Sequence, residues 1–315
     1  MRRVAVALLA PLAVTVALAG CGSSASSQAN ANSAVTISGA AGKAPTVKIP
    51  SAKPTPNLVT KTLSKGTGRV LGPTDSFLAN FEVYIWRGKT HKLLFSSYKG
   101  TPEVLPVTIP GLAGLQKAIA GQRVGSRVEA VLPPKFGYGK AGNSQLGVKP
   151  TDTLVWVIDV MQAYSATQGA TGKQITNGGG NLPKVSAAAG SGPAITIPKS
   201  SPPGKLIVTT LVKGTGTPVK TGQSLVVRYV GSIWRTGKVF NDNWPSAQQP
   251  NTPPSVFKLG QLIPAWNTGL VGVPVGSRVM LVVPPAEGYG KAGQSSAGIT
   301  GSDTLVFVID ILSAI

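Results

Sequence analysis

Twice the chain carries a G-x-G-x-x-G pattern, GYGKAG at 137–142 and again at 288–293. Such glycines could cradle a dinucleotide pyrophosphate, but only with a strand directly before and a helix directly after. Here Pro133-Pro134 and Pro284-Pro285 come before, and polar, glycine-containing sequence without helical period follows. The pattern reads as a loop. A nucleotide cofactor is not expected, and neither is any other cofactor. A single His, His91, and a single Cys, Cys21, exclude a His-cluster or cysteine-rich metal site and an intrachain disulfide. They also argue against a Ser-His-Asp relay. What stands out is Tyr289 in its glycine-rich loop after Pro-Pro, a position poorly suited to a core and well suited to a site.

Both loops belong to a tandem repeat. VGSRV at 124–128 returns at 275–279, an offset of 151 that also relates DTLV at 152–155 to 303–306. Upstream the offset is 148, carrying KGTG at 65–68 to 213–216 and IWR at 85–87 to 233–235. Similarity on this scale marks a duplicated unit. The copies diverge most between Arg87 and Val124, as a shared fold with different sites would.

The elements that must position these loops are mostly strands. Residues 224–230, 278–283 and 304–311 are short β-branched or apolar runs bounded by turn formers. Residues 264–272 form the one helix expected in the second copy, and 116–120 belong to its equivalent in the first. A sheet with so little helix must curl around the one it has. The 315 residues leave room for about two domains. A hydrophobic content of 42% against 13% charged argues against disorder throughout. Lys+Arg 30 against Asp+Glu 10 gives a formal charge of +20. The basic residues form no long runs with interleaved aromatics, so no nucleic-acid partner is expected. Anionic lipid or wall polymer is what such a surface would attract.

Arg2-Arg3, the apolar run 4–18 and Leu18-Ala19-Gly20-Cys21 read as a secretory signal. The last four residues resemble the lipobox of bacterial lipoproteins. That resemblance implies cleavage before Cys21, lipid on its thiol, and a membrane-anchored, extracytoplasmic protein. The expected layout is a signal at 1–20, a flexible tether at 21–44, one domain at 45–164, a linker at 165–192 and a second domain at 193–315. The Ser, Ala, Asn and Gly of the tether and linker lack apolar surface to bury.

The second copy resembles the FKBP-type peptidyl-prolyl cis-trans isomerases. The motifs come in order: VRYVG at 227–231, GKVF at 237–240, VFKLG at 256–260, LIPAW at 262–266, VGSR at 275–278, PPAEGYG at 284–290 and TLVF at 304–307. The resemblance implies an α+β fold, two tandem FKBP-like domains, each an antiparallel sheet of five or six strands wrapped round a short helix. It implies a pocket with Trp266 as floor and Tyr229, Phe240 and Phe307 as walls. The Ile263 N–H and the Tyr289 hydroxyl would be its polar handles. Phe257, Leu262, Ile299 and Asn241 complete the expected substrate contacts, Asn241 replacing the usual Asp. In the first copy the matching residues are Phe81, Phe95, Leu115, Tyr138 and Trp156, a weaker pocket without the Tyr hydroxyl or the Trp floor.

The implied substrates are proline-containing exported polypeptides, with macrolide inhibitors as further ligands. Rotation about a prolyl bond faces about 18–20 kcal/mol because it breaks amide resonance. A dry aromatic pocket that favours the twisted amide needs only about 4 kcal/mol of differential binding for a thousandfold acceleration. No nucleophile or base is required. The alternative is a non-catalytic module, chaperone-like or structural, using the same apolar pockets.

Overall fold

A computed structural model describes residues 31–186 and 191–315. Cys21 and the signal region lie outside the described residues. The first copy comprises β1 (Thr36–Ser38), β2 (Thr46–Lys48), β3 (Val59–Ser64), β4 (Ser76–Arg87), β5 (Thr90–Ser96), β6 (Glu103–Pro106), α1 (Ala113–Ile119), β7 (Arg127–Leu132) and β8 (Thr153–Tyr164). Next come β9 (Lys173–Gln174), β10 (Lys184–Ser186), β11 (Ala194–Thr196), β12 (Ile207–Lys213), β13 (Ser224–Ile233), β14 (Val239–Asp242) and β15 (Ser255–Lys258). The chain ends with α2 (Pro264–Leu270), β16 (Arg278–Val283) and β17 (Leu305–Ala314). No described helix is long and apolar enough to cross a membrane.

Each copy is an antiparallel sheet closed over one helix. The first sheet runs β3-β7-β8-β4-β5, with β6 added beside β4. The second runs β14-β13-β17-β16-β12-β9, with β15 beside β13. The fold class matches the expectation, with one strand more in the second sheet. The helices are two turns long, and their apolar faces supply Leu115 and Ile119 in α1, and Trp266 and Leu270 in α2. The repeated KGTG has a steric cause. A Cβ on Gly66 would lie 2.2 Å from the Val124 carbonyl oxygen, and one on Gly214 2.2 Å from that of Val275.

The central strands are buried on both faces, which explains their unbroken apolar runs. In β17, Leu305, Phe307, Ile309 and Ile311 face the helix, while Val306 and Val308 face outward against Trp234. What covers the outer face corrects the expected tether and linker. Residues 31–44 are not a free tether over their described part. β1 pairs with β2, and Val35 and Ile49 pack on Trp86, Val131 and Val155. In the second copy β10 pairs with β11, and Val185 packs on Trp234. The Trp86 indole N–H donates to the Ala52 carbonyl at 3.0 Å, and that of Trp234 to Ser200 at 3.1 Å, 148 residues on. The repeated unit thus includes a small hairpin lid. The expected linker also supplies β9, which joins the second sheet beside β12.

The copies meet along a small apolar seam. Leu78, Val104, Met161 and Tyr164 pack with Val226, Val256, Leu312 and Ile315. Leu78 and Val226 are equivalent positions, as are Met161 and Leu312, and Tyr164 and Ile315. Val104 and Val256 face Leu78 and Val226 across their own ladders. The Tyr164 and Ser313 hydroxyls are hydrogen-bonded at 2.6 Å across this seam.

Candidate functional site: an aromatic cavity in the second copy

Pro264 at the first turn of α2 fixes the start of the helix. Two residues on, Trp266 projects into the sheet and is only 4% exposed. Three rings stand edge-on to it: Phe257 at 5.5 Å, Tyr229 at 5.7 Å and Phe307 at 5.7 Å between centroids. Phe240 stands perpendicular to Phe307 at 5.6 Å. Above the Trp266 floor is a cavity of about 220 Å³, lined by Tyr229, Phe240, Asn241, Phe257, Leu262, Ile263, Trp266, Tyr289, Gln294, Ala297 and Phe307.

Of the residues expected from sequence, Ile299 alone in this copy does not line the cavity. It is 3% exposed and part of the core. The cause is a pair of backbone bonds between Gln294 and Ile299, which turn Ile299 inward. The intervening loop brings Gln294 and Ala297 to the cavity, and of these Ala297 carries no sequence signal. Gly231 is the other residue missed. A Cβ there would lie 2.7 Å from the Phe240 ring and 3.0 Å from Phe307. Its lack of a side chain lets the two walls close.

The cavity has two polar groups that no described residue engages. The Ile263 backbone N–H begins α2 without an acceptor. The Tyr289 hydroxyl has no side-chain partner, and burial raises its pKa. Tyr229 differs: its hydroxyl donates to the Asn241 side-chain oxygen. Its pKa is raised too, first by burial and then by the nearby Asp242 and Tyr289. Asn243 fixes the Tyr229 backbone, accepting its N–H at 2.8 Å and donating to the Val227 carbonyl at 2.9 Å. Arg228, fully buried behind this strand, donates to the carbonyls of Asn243, Thr252 and Ala166. Burial lowers its pKa to about 10. The arrangement offers an aromatic socket and two free hydrogen-bond donors at its edge.

The first copy brings Phe81, Phe95 and Trp156 together but arranges them differently. Phe81 lies 5.2 Å from Phe95 and stacks on Trp156 at 5.3 Å. It is 4% exposed, whereas its counterpart Tyr229 is half-buried. Leu115 is core, and Tyr138 packs against the same cluster. The equivalent of the Ile263 donor is engaged. The Leu112 N–H, matching Ile263, donates to the Ile109 carbonyl at 3.1 Å. Burial raises the pKa of the Tyr138 hydroxyl.

The model of the FKBP-type peptidyl-prolyl cis-trans isomerase family matches residues 73–161 and 215–312. A Corynebacterium glutamicum protein named as a probable FK506-binding protein is 36% identical over 122 residues, covering 39% of this chain and 98% of the relative. An FK506-binding protein of Streptomyces anulatus is 32% identical over 123 residues, 38% of this chain and 95% of the relative. A solved peptidyl-prolyl cis-trans isomerase from Pseudomonas syringae pv. tomato aligns with 35% of this chain and 74% of its own, at 31% identity and a TM-score of 0.30. With its family model matching both copies, the chain belongs to the FKBP-type peptidyl-prolyl cis-trans isomerase family.

Proposed function

We propose that this protein catalyses prolyl cis-trans isomerisation in the second copy, on proline-containing exported polypeptides. The observation that carries the reading is the cavity over Trp266 with the Ile263 N–H and the Tyr289 hydroxyl unengaged at its edge. A proline ring resting on Trp266 brings its preceding carbonyl out of water. Desolvation disfavours the polar planar amide relative to the twisted form, and a donor at the rim steadies the twisted carbonyl. The first copy, with the Leu112 N–H engaged and Phe81 covered, is read as a binding and scaffolding partner without turnover. Macrolides are the small-molecule class that would compete for the open cavity.

The protease-coupled or NMR exchange rate of a blocked tetrapeptide with a central prolyl bond tests this. The full chain should accelerate exchange, and Trp266→Ala should remove the acceleration. A rate unaffected by Trp266→Ala would move catalysis elsewhere.

We further propose that Cys21 carries lipid and holds the protein on the outer face of the membrane, with the basic surface adding attraction to anionic lipid or wall polymer. The motif and the preceding apolar run support this. Each buried CH₂ of the acyl chains would contribute about 0.8 kcal/mol. Cys21→Ser should move the protein to the soluble fraction. Retention through a high-salt wash would refute the anchor.

A further inference from the structure

Next to Tyr229 on β13, and on the opposite face of the sheet, is a buried charge that the prolyl chemistry does not use. Arg228 is fully buried and belongs to no ion pair among the described residues. Its neighbour across the ladder is Asp310, but that carboxylate is held by Arg278 at 2.6 and 2.7 Å. A buried guanidinium is costly unless its donors are used. Arg228 spends them on backbone carbonyls: Asn243, Thr252 at 3.0 Å and Ala166 at 2.8 Å.

Its place on β13 explains what those bonds do. β15 pairs with residues 224–227 of β13, and β14 with residues 230–232. Between them, at Arg228 and Tyr229, this side of β13 has no strand partner, and residues 243–254 loop out. The Asn243 side chain fills part of the gap, accepting the Tyr229 N–H at 2.8 Å and donating to the Ser255 hydroxyl at 3.0 Å. Arg228 grips the loop near both ends, at Asn243 and Thr252. Those ends run straight into cavity walls: Phe240 and Asn241 precede Asn243 on β14, and Phe257 follows on β15.

The third carbonyl comes from elsewhere in the chain. Ala166 follows β8 and opens the segment that connects the copies. That segment also closes over Trp244, whose ring lies 5.6 Å from the Arg228 guanidinium. A Cβ on Gly169 would lie 2.9 Å from the Trp244 indole, and one on Gly192 2.8 Å. The Ala170 N–H donates to Asp310 at 2.8 Å. The first copy lacks the device. Asn80 stands opposite Asp159 where Arg228 stands opposite Asp310, and its side chain accepts from the Ser97 hydroxyl at 3.1 Å.

We infer that Arg228 is a positioning residue for the prolyl cavity: by tying both ends of the 243–254 loop to the connecting segment, it sets the spacing of the walls on β14 and β15. The inference rests on the reading of this cavity as the prolyl site. It makes the segment between the copies part of the site's support.

Two variants of the full chain test it. Arg228→Met keeps bulk and removes the donors. Gly169→Val pushes the connecting segment off Trp244 and alters no residue of the second sheet. NMR exchange of a blocked tetrapeptide with a central prolyl bond gives kcat and KM separately. The Trp266 floor lies on α2, outside this network, so the proline should still dock. Both variants should keep KM within about twofold while kcat falls about tenfold as the walls shift. Arg228→Lys keeps the charge but not the fork, and should recover only part of kcat. A lower unfolding midpoint with kcat unchanged in the folded protein would overturn the inference, and so would a raised KM with kcat intact. Fluorine NMR of fluorophenylalanine-labelled protein reads the walls without activity. The Phe240 and Phe257 resonances should move in both variants, while that of Phe77 in the first copy stays. If they move but kcat changes neither here nor in Trp266→Ala, the positioning stands and the prolyl-site reading fails. If they stay fixed, Arg228 positions nothing at the cavity.

Discussion

Gly231 and Val83 hold equivalent places on the central strands of the two copies, but Gly231 abuts the Phe240 and Phe307 rings whereas Val83 pairs directly with Phe95 and Trp156. Gly231 is opposite Asn241 and Phe307; Val83 is opposite Phe95 and Trp156. Where the glycine stands, Phe240 and Phe307 close into a perpendicular pair and leave a cavity beside them. Where the valine stands, Phe95 and Trp156 each pack on Phe81 instead. An added Cβ at Gly231 would come within 3.0 Å of both walls, closer than carbon atoms tolerate without moving.

Gly231→Val is therefore expected to separate Phe240 from Phe307 and reduce kcat/KM for a prolyl tetrapeptide by at least about tenfold. The overpacking should cost about 1–3 kcal/mol in the second copy. Thermal unfolding and the tetrapeptide rate, measured together, check both parts. A stable variant with full activity would show that this wall pair does not shape the site.

Tyr289→Phe deletes one hydroxyl and keeps the ring. The loss should be about 0.5–1.5 kcal/mol, up to about tenfold in rate, without abolishing activity. Burial holds both cavity phenols above their ordinary pKa of 10.0, so they stay protonated at neutral pH. The rate should accordingly be flat between about pH 6 and 8, where neither phenol titrates. A steep profile on a folded protein would point to an ionising group in the reaction.

Asp303 gives an acid-stability prediction. Hydrogen bonds from Arg235, at 2.8 and 3.1 Å, and from Thr300 lower its pKa from 3.8 to about 2. The folded value lies below the unfolded one. Its stabilisation is therefore present above about pH 4 and lost as pH falls toward 2. Asp303→Asn should destabilise the second copy by about 1 kcal/mol near neutral pH. The gap to the parent protein should narrow through that acid window. Denaturant titrations at pH 7, 4 and 2 measure it, and a pH-independent gap would contradict the assignment.

Leu312→Asp puts a carboxylate into the seam opposite Leu78 and Val226. The copies should separate, raising the radius of gyration in small-angle scattering, while the tetrapeptide rate persists. An unchanged radius would mean that the seam does not hold the copies together.

Much of this organisation was legible in the sequence because duplication wrote it twice. Paired offsets exposed the repeat, and short β-branched runs with one helical segment per copy gave the architecture. Trp266, Tyr289 and the wall residues came from motifs in register. The hairpin lids were not legible. Val35, Val47 and Ile49 lie in polar, small-residue sequence, and only their packing on Trp86 and its neighbours, far along the chain, makes them core. Ile299 was misplaced because its apolar side chain gives no hint of the backbone bridge to Gln294. Gly231 belongs to a visible motif, but its steric role depends on two rings 9 and 76 positions away in sequence.

The seam is made from the same four positions of each copy. A surface that meets its own counterpart is the signature of a two-fold homodimer, here written into a single polypeptide. Two separate subunits would part on dilution, whereas covalent linkage holds the copies at an effective concentration on the order of millimolar. Symmetry would also have forced both subunits to carry the same pocket. Fusion lifts that requirement: one copy keeps glycine between its aromatic walls, while the other places valine there and packs Phe95 and Trp156 on Phe81.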